Sequence, residues 1–324
     1  MKKIGMIGTN FVSDMFMQGM VDINDAKVTC VVSTSLDKAQ EFANKYGIET
    51  AIDDYHNLKD VDIVYIATPN ALHKEMSEFF LKQNLAVMCE KPMAANIAEV
   101  DSMIKTASDN QAFLMENLMP LYNPNLAILK SSLELVGPIR QVNFNFSKYS
   151  SRYDAYLAGE NPTTFRNELA NGAIMDLGVY PIGVCLGVFG KPNDIYATSQ
   201  LLKSGADVSG MAIFKYDGFD ACIQYSKASD TYNRNEICGE KGTIVIEGIS
   251  LLNKIVFIDR ITKEETILAT EPKVSMYYSI KETLDTLSNN QRFINKHDAE
   301  SIKLVHDTIT KCRLQSGIKY PQDK

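Results

Sequence analysis

The sequence predicts an α/β protein with two domains, the first built on a parallel sheet and the second an α+β domain with a large, mostly antiparallel sheet. Over the first 120 residues, short apolar runs alternate with segments whose apolar residues recur at helical spacing, which is typical of βαβ units. Between residues 195 and 267, strand-like runs follow one another with turns between them, which is typical of antiparallel pairing. We therefore divide the chain into residues 1–120 and residues 121–324.

Local signals place the elements of the first domain. Gly47 follows a helical run and is typical of a helix C-cap, whereas Asn70 precedes another helical run and can serve as its N-cap. In chain order, the predicted strands are residues 3–8, 27–32, 61–67, 86–89 and 112–115, and the predicted helices are residues 11–21, 36–46, 71–83 and 97–108.

The second domain has a different pattern, in which strand-like runs follow one another without helices between most of them. Gly137-Pro138 precedes a predicted strand, and glycine-containing turns separate the strand-like runs that follow. The predicted elements are a strand at residues 139–147, turns at residues 203–205, 216–218 and 239–242, and closing helices at residues 274–287 and 298–315.

The composition is that of an ordinary globular protein and excludes several classes of partner. Hydrophobic residues make up 45% and charged residues 23% of 324 residues, and the net charge is −7 without a basic run, so we expect no nucleic-acid partner. The most apolar segment, residues 172–190, is interrupted by Asp176 and Pro181, so we expect no membrane partner. Near the N-terminus, glycines and Asp14 stand where a signal peptide needs a long apolar region.

The cysteines and histidines indicate a reducing compartment and no metal. Six cysteines are scattered, form no CxxC pair and lie partly inside apolar runs, which predicts free thiols in a cytoplasmic protein. Four histidines, at positions 56, 73, 297 and 306, share no metal-ligand spacing.

A glycine turn after the first strand predicts a dinucleotide site. Gly8 can make the tight turn, and Asn10 and Ser13 stand where G-x-G-x-x-G has its second and third glycines. Asn is the non-glycine residue that best tolerates positive φ, and Ser is small enough for close helix–strand packing. The context predicts a Rossmann domain in which Gly8, Thr9, Asn10 and Phe11 bind the cofactor, with its pyrophosphate at the helix N-terminus.

The end of the second strand favours NADP(H) over NAD(H). Ser33, Thr34 and Ser35 stand where an acid would bind the ribose 2′-hydroxyl of NAD, and Lys38 follows one turn later. Because residues 33–38 contain no arginine, this preference rests on Lys38 and on the absence of an acid at residues 33–35.

The third clear strand ends in Thr68-Pro69, and Asn70 and His73 follow on the first turn of the next helix. Because the carboxyl ends of parallel strands meet at one edge of a sheet, we expect these residues to line the cofactor cleft. His73 also has a second interpretation, as a histidine that only packs at the start of the helix.

A buried strand that ends in Glu90-Lys91-Pro92 places a lysine where a substrate can bind. The alternative is a solvated Lys–Glu pair at a strand end. Pro92 is a candidate for a cis peptide bond.

The second domain offers Asp176 and Tyr180 as chemical counterparts. If residues 172–181 are helical, these side chains lie four residues apart on one face. Pro181 disfavours helical geometry at Tyr180 unless the helix kinks there. The alternative is a buried helix with one satisfied aspartate and an ordinary core tyrosine.

Gly-Thr-Asn, Thr-Pro-Asn-x-x-His, Cys-Glu-Lys-Pro and Asp-Leu-Gly-Val-Tyr-Pro occur here in that order. Together they resemble the glucose–fructose oxidoreductase/inositol dehydrogenase/MocA (Gfo/Idh/MocA) family, and in particular its dimeric dihydrodiol dehydrogenase-like branch, where Tyr replaces the usual His at position 180. Phe165-Arg166 and the closing Gly-Ile-Lys-Tyr-Pro also match, so the resemblance spans the chain. It departs from the family at Asn10 and at Thr34, where an Arg often stands.

The resemblance implies an NAD(P)-dependent oxidoreductase in which Lys91 is the catalytic lysine and Asp176 and Tyr180 complete the site. Hydride would pass between the nicotinamide and a carbinol or carbonyl carbon of a small polyhydroxylated substrate, such as a sugar, an inositol or a cyclic diol. A tyrosine, whose ordinary pKa is about 10, needs a nearby cation to act near neutral pH. We therefore assign Tyr180 as acid/base, Lys91 as its electrostatic partner and Asp176 as the orienting group, with the roles of Tyr180 and Lys91 exchangeable. Further substrate-contact candidates are Tyr122, Asn123 and Arg166.

The alternative is a non-catalytic dinucleotide-binding sensor of metabolism with the same fold. Such a protein is expected to lose the lysine or the Asp/Tyr pair, and this chain keeps Lys91, Asp176 and Tyr180, so an enzyme is favoured. A sheet with one face free of helices often buries that face against a copy, which predicts a homodimer formed through the C-terminal sheet.

Overall fold

The computed structural model describes residues 1–270, 273, 276–289 and 296–324, without the side chains of residues 296 and 297. Residue 274, where one closing helix was predicted to begin, lies outside the described residues. Backbone contacts divide the chain into two compact units, Met1–Asn117 with Lys273–Lys303 and Leu118–Pro272 with Leu304–Lys324. The sequence-based division at residue 120 assigns residues 273–303 to the second domain, whereas backbone contacts assign them to the first unit.

The first unit is organised around a six-stranded, fully parallel sheet, as the sequence predicted. Its order is β3-β2-β1-β4-β5-β6, which is the Rossmann order. The strands are β1 Lys2–Ile7, β2 Ala26–Val32, β3 Thr50–Ile52, β4 Ile63–Ile66, β5 Ala86–Glu90 and β6 Leu114–Asn117.

The helices of this unit pack on a sheet whose strands β1, β2, β4, β5 and β6 are mostly buried, as expected for a parallel sheet covered on both faces, whereas the edge strand β3 has no buried residue. On one side, Phe16 of the first helix stacks on Tyr65 of β4 with ring centroids 4.0 Å apart. The helices are α1 Phe11–Gly19, α2 Leu36–Tyr46, α3 His73–Leu81, α4 Ile97–Asp109 and α9 Tyr277–Ser288.

Capping explains several of these helix boundaries. Gly47 ends α2 in the left-handed conformation at φ 67°, as predicted, and Asn96 begins α4 by accepting from the backbone N–H of Glu99. The expected cap at Asn70 is wrong. Asn70 begins a short 3-10 turn, Asn70–Leu72, and α3 starts after it without a side-chain cap.

The second unit is organised around an eight-stranded sheet of order β14-β13-β12-β11-β7-β10-β9-β8. Every neighbouring pair is antiparallel except β7 and β10, so the predicted mostly antiparallel sheet is confirmed. The strands are β7 Ile139–Ser147, β8 Asp194–Leu201, β9 Asp207–Tyr216, β10 Phe219–Ser226, β11 Asn235–Gly239, β12 Gly242–Glu247, β13 Lys254–Asp259 and β14 Glu265–Thr270.

One face of this sheet is buried under helices and the other carries exposed side chains. Val142, Phe144 and Ile223 lie on the buried face, whereas their alternating neighbours, among them Gln224 and Met211, lie on the other face. The helices are α5 Asn125–Ser131, α6 Leu133–Val136, α7 Ser151–Leu157, α8 Val179–Phe189 and α10 Lys296–Gln315, whose residues from Leu304 onward belong to this unit.

A π-helical turn, Ile174–Gly178, leads directly into α8, and both pack against β7 and β10. Pro181 follows this π-helical turn by three residues, and Tyr180 keeps helical geometry in front of it. The wider stretch Asn167–Phe189 is long and apolar enough to cross a membrane, and 78% of its most apolar window is buried. Buried core helices meet the same criterion, so this is weak evidence for a membrane segment.

All six cysteine thiols are free, and four of them are buried. Burial raises the pKa of the Cys30 thiol to about 11 and that of Cys185 to about 12. Because the thiolate is the reactive form, these two thiols are poor nucleophiles at neutral pH.

Candidate cofactor and active site

A cleft of about 480 Å³ opens in the first unit at the carboxyl ends of β1, β2 and β4. This is the edge at which open α/β sheets bind ligands. Eight residues predicted from the sequence line it, namely Gly8, Thr9, Asn10, Ser33, Thr34, Lys38, Thr68 and Pro69. The other predicted cofactor residues, Phe11, Ser35, Asn70, His73, Glu90 and Lys91, lie outside that lining.

The glycine turn is built as expected at Gly8 but differently at Asn10. Gly8 has φ 112°, and a Cβ there would lie 2.3 Å from the carbonyl oxygen of Ala67, so only glycine fits. The expectation that Asn10 adopts positive φ is wrong, because its φ is −94° and it is the N-cap of α1. Its Oδ1 accepts from the backbone N–H groups of Val12 and Ser13, and its Nδ2 donates to the carbonyl of Ala67 at 2.8 Å.

Hydrogen bonds connect the strand-end loops around the cleft. The Ser13 hydroxyl donates to the carbonyl of Gly8 at 2.9 Å and closes the first turn, which explains a small polar residue at the third glycine position. The hydroxyl oxygens of Thr9 and Ser33 lie 2.8 Å apart and join the loops that follow β1 and β2. Ser35 caps α2, where its hydroxyl accepts from the backbone N–H of Lys38 at 3.5 Å.

Part of the cleft wall, including the carboxylate of Asp53, was not predicted from the sequence. Asp53 follows β3, and β3 pairs with β2 so that Ile52 lies opposite Val32. A residue just after β3 is therefore a neighbour of the loop after β2, and this pairing is the signal that could have found it. The missed lining residues are Ile7, Val32, Asp53, Tyr55, Ala67, Leu72 and Met76.

His73 is buried, with 1% of its surface exposed, and both ring nitrogens face backbone carbonyls. Nε2 lies 2.8 Å from the carbonyl oxygen of Thr68, and Nδ1 lies 3.0 Å from that of Pro92. Burial lowers the pKa of His73, whereas the two carbonyls, which can both accept only from a doubly protonated ring, oppose that shift. These contacts support the interpretation of His73 as a packing residue that ties the loop after β4 to the loop after β5, and a contact with the cofactor stays a prediction.

Two buried carboxylates hold the loop that carries Lys91. Glu90 accepts from the Tyr65 hydroxyl at 2.7 Å and from the Asn117 amide at 2.5 Å, and burial raises its pKa. Glu116, on the neighbouring strand β6, accepts from the backbone N–H of Met93 at 2.8 Å and is 1% exposed. The Lys91–Pro92 peptide bond is cis. The solvated Lys–Glu pair considered as an alternative is wrong for Glu90, whose side chain is buried.

In the second unit, Asp176 lies in the π-helical turn and Tyr180 in the first turn of α8. Tyr180 is buried, and its ring packs edge-to-face on Phe146 of β7 with centroids 5.5 Å apart. The Asp176 carboxylate forms an ion pair with the ammonium of Lys227, a residue that the sequence analysis missed. The interpretation of residues 172–181 as helical around this pair is confirmed from Ile174 onward.

A second carboxylate of this unit, Asp207, supports the start of this turn from inside the unit. Its Oδ2 accepts from the backbone N–H of Ile174 at 2.8 Å. A Cβ on Gly172, whose φ is 152°, would lie 2.0 Å from Asp207 Oδ1, so glycine is required there for the close approach. Burial raises the pKa of Asp207 to about 7.

Asp207→Asn is expected to remove part of the pH dependence of the free energy of unfolding. Because the folded carboxyl, with a pKa of about 7, binds its proton more tightly than the unfolded one, stability falls as pH rises from about 4 to about 7. The fall approaches about 1.4 kcal/mol per pH unit for one proton. Urea unfolding at several pH values measures it, with Asp220→Asn, at a half-exposed position, as the control; an equal slope in Asp207→Asn and wild type contradicts the assignment.

The three substrate-contact candidates, Tyr122, Asn123 and Arg166, differ in their contacts within the protein. The Asn123 amide donates to the carbonyl of Leu251 at 2.6 Å and accepts from the backbone N–H of Asn125 at 2.8 Å, so both of its ends bind backbone. Arg166 pairs with Glu168 at 2.7 Å, and Tyr122 follows a short 3-10 turn, Met119–Leu121. Their contact with a substrate stays a prediction.

Within the described residues, no group of three or more His, Cys, Asp or Glu side chains could hold a metal ion.

Comparison with protein families gives two matches along the chain. Residues 2–118 match the oxidoreductase family with an NAD-binding Rossmann fold, and residues 134–245 match the GFO/IDH/MocA C-terminal domain. Over its whole length the chain is 37% identical to scyllo-inositol 2-dehydrogenase (NADP(+)) IolU of Bacillus subtilis, across 100% of both chains. The chain belongs to the Gfo/Idh/MocA family.

Other members of the Gfo/Idh/MocA family show how far the similarity extends. The chain is 36% identical to the uncharacterized oxidoreductase YgjR of Escherichia coli, over 100% of this chain and 99% of the relative. It is 27% identical to trans-1,2-dihydrobenzene-1,2-diol dehydrogenase of Danio rerio, over 92% and 91% of the two chains. The resemblance to the dihydrodiol dehydrogenase-like branch is therefore confirmed at the level of the family.

Solved structures share the fold at lower identity. KijD10, a 3-ketoreductase from Actinomadura kijaniata in complex with NADP and TDP-benzene, superposes with a TM-score of 0.83 at 20% identity, over 97% and 98% of the two chains. UDP-N-acetylglucosamine 3-dehydrogenase GnnA from Acidithiobacillus ferrooxidans superposes with a TM-score of 0.78 at 17% identity, over 97% of both chains. These similarities show the fold alone.

The family and the cleft together make this chain an NAD(P)-dependent oxidoreductase. The N-terminus of α1, which follows the Gly8 turn at the wall of the cleft, fits the position where a dinucleotide pyrophosphate binds. The residues that would hold the cofactor are those of the cleft lining.

Proposed function

We propose that this protein transfers hydride between NADP(H) and a carbinol carbon of a small polyhydroxylated molecule, with an inositol as the first substrate to test and sugars and cyclic diols after it. The supporting observation is Lys91, which follows β5 in a loop whose backbone two buried groups hold. The 37% identity to a protein named scyllo-inositol 2-dehydrogenase (NADP(+)) supports both the substrate class and the cofactor.

When bound, the nicotinamide supplies a hydride acceptor or donor. In alcohol oxidation, the chain must take the hydroxyl proton while the C–H bond gives its electron pair away as hydride. Tyr180 takes that proton, the Lys91 ammonium stabilises the developing negative charge on oxygen, and the Asp176 carboxylate orients a substrate hydroxyl. The exchanged assignment, with Lys91 as the proton carrier, gives the same balance of atoms.

A panel of inositols, aldoses and cyclic diols, each with NAD and with NADP, tests the function. Formation of reduced nicotinamide is followed by absorbance. Turnover of at least one inositol or sugar with NADP is expected. Tight binding of NADPH without turnover of any substrate contradicts the enzyme and supports the dinucleotide-binding sensor.

The preference for NADP is supported by Lys38 in the cleft and by the absence of an acid directly after β2. Asp53 argues in the other direction, because a carboxylate repels a 2′-phosphate. Asp53 follows β3 rather than β2. Its negative charge and the positive charge of Lys38 line the same cleft and have opposite effects on a 2′-phosphate.

Lys38→Ala is expected to weaken NADPH about tenfold and to leave NADH nearly unchanged, since a charge-assisted hydrogen bond to the 2′-phosphate is worth about 1.5 kcal/mol or more. Fluorescence titration of both cofactors measures the effect. Lys45→Ala is the matched control, because Lys45 lies on the same helix and pairs with Asp14 at 2.7 Å. Equal losses for NADPH and NADH assign Lys38 to another role.

We also propose a cytoplasmic homodimer formed through the exposed face of the eight-stranded sheet. Tyr196, Met211 and Ile267 are exposed large apolar side chains that the strand registers place on this face. A second copy would bury them. The six free thiols support a reducing compartment.

Met211→Glu is expected to convert the dimer to a monomer, because the substitution places a charge on the sheet face beside Gln224 and Thr198. Sedimentation velocity measures the mass. Ile261→Glu, in the exposed turn between β13 and β14, is the control and should stay dimeric. A wild-type monomer refutes the proposed dimer. If Met211→Glu is still a dimer, the interface does not lie on this face of the sheet.

A further inference from the structure

Lys227 is a buried cation beside a residue proposed to act on substrate. Its side chain is 6% exposed, whereas that of its ion-pair partner Asp176 is 43% exposed. The carboxylate therefore reaches solvent and the ammonium supports it from within the unit.

The backbone of Lys227 is fixed on both sides. Its N–H donates to the carbonyl of Val208 at 2.8 Å, and its carbonyl accepts from the N–H of Ser150 at 2.8 Å. Both bonds lie just beyond the end of β10, so the residue is tied to the sheet and to the segment that precedes α7. The Lys227 side chain therefore starts from a fixed backbone position, and its burial limits the conformations that the ammonium can adopt.

A buried ammonium is costly, and a well-packed apolar residue of similar volume is often as stabilising or more so. The Asp176 carboxylate offsets this cost by pairing with the ammonium directly. The charge of Lys227 also acts on the fully buried Asp207, where it opposes the rise in pKa that burial causes. Asp207 in turn accepts from Ile174 at the start of the turn that carries Asp176. Lys227 thus links Asp176 to Asp207, whose hydrogen bond with Ile174 holds the start of the same turn.

We infer that Lys227 is a positioning residue that holds the Asp176 carboxylate in the orientation in which it meets a substrate hydroxyl. This inference rests on the proposed function, in which Asp176 contacts the substrate. Lys227 itself touches neither substrate nor cofactor.

Lys227→Met tests the role, because methionine keeps the apolar stem and removes the charge. The variant is expected to lower kcat/KM about 100-fold, the order of loss that follows when a reacting group is displaced by about 1 Å. The NADPH dissociation constant should stay within about twofold of wild type, because none of the residues that line the cofactor cleft is altered. Lys227→Arg retains a cation and should recover part of the loss.

The decisive measurement is a double-mutant cycle with Asp176→Asn. If Lys227 acts only through Asp176, the double variant is no slower than Asp176→Asn alone, whereas independent effects multiply. Lys254→Met is the control, because it removes a half-exposed ion pair with Glu247 in the same unit and should leave kcat/KM unchanged.

Several outcomes overturn the inference. Wild-type kcat/KM in folded Lys227→Met, or multiplied losses in the double variant, shows that Lys227 does not act through Asp176. If neither Lys227→Met nor Lys227→Arg folds, as judged by circular dichroism, Lys227 is a structural residue of the core. A wild-type protein that turns over no substrate overturns the proposed function instead, so the two failures are distinguishable.

Discussion

Lys91→Ala is expected to lower turnover by about two to three orders of magnitude while leaving NADPH affinity nearly intact. Removing one preorganised group that stabilises developing charge typically costs about 100- to 1,000-fold in kcat. The expected split between catalysis and binding follows from the position of Lys91, which stands after β5 and does not line the cleft at the ends of β1, β2 and β4.

The loop should survive this substitution, because other groups hold its backbone. His73 contacts the carbonyl of Pro92, and Glu116 accepts from Met93. The thermal midpoint of Lys91→Ala should therefore lie close to that of wild type. Lys82→Ala, an exposed lysine that precedes β5, is the control and should be fully active. A Lys91→Ala variant with wild-type turnover refutes the assigned site, and one that loses NADPH affinity equally makes Lys91 a cofactor-binding residue.

The architecture of this chain was predictable because its signals are local. Apolar runs alternate with amphipathic helices in the first unit, and a glycine at 47 ends a helix at the position expected. Gly8 was predictable for the same reason, since only glycine fits a turn with φ 112° against the Ala67 carbonyl. The strands and helices follow from the spacing of apolar residues, and the two glycine positions follow from the few residues around them.

Asn10 shows where a motif misleads. It stands at a glycine position, and its tolerance of positive φ was the available explanation, yet its backbone is extended and its side chain caps α1. The amide also reaches the Ala67 carbonyl, a contact between residues 57 positions apart. Because that partner is distant in sequence, the motif alone could not reveal the role.

The residues missed entirely depend on strand pairing. Asp53 lines the cleft because β3 pairs with β2, and Glu116 reaches the Lys91 loop because β6 pairs with β5. Lys227 directly follows β10, as Lys91 directly follows β5. Strand ends of a mostly antiparallel sheet do not meet at one functional edge, however, so the position of Lys227 did not indicate a site. The combination of Lys91 with Asp176 and Tyr180 in one site stays a prediction that functional variants of each residue test.

Tyr180→Phe separates the two assignments of the proton carrier. The substitution keeps the ring that packs on Phe146 and removes only the hydroxyl, so the fold should change little. If Tyr180 is the acid/base, kcat should fall about 100- to 10,000-fold, which is the usual contribution of a positioned proton-transfer group.

The pH profile then decides the role, because a lost rate alone does not identify a proton carrier. With Tyr180 as base, kcat/KM for alcohol oxidation rises with pH until the phenol is ionised, and Tyr180→Phe lacks that rise. Tyr216→Phe is a matched control, since its hydroxyl donates to the carbonyl of Gly190 and its loss should leave the profile intact. If Tyr180→Phe retains most of its rate and the wild-type pH dependence, whereas Lys91→Ala loses both, Lys91 carries the proton and Tyr180 only shapes the pocket.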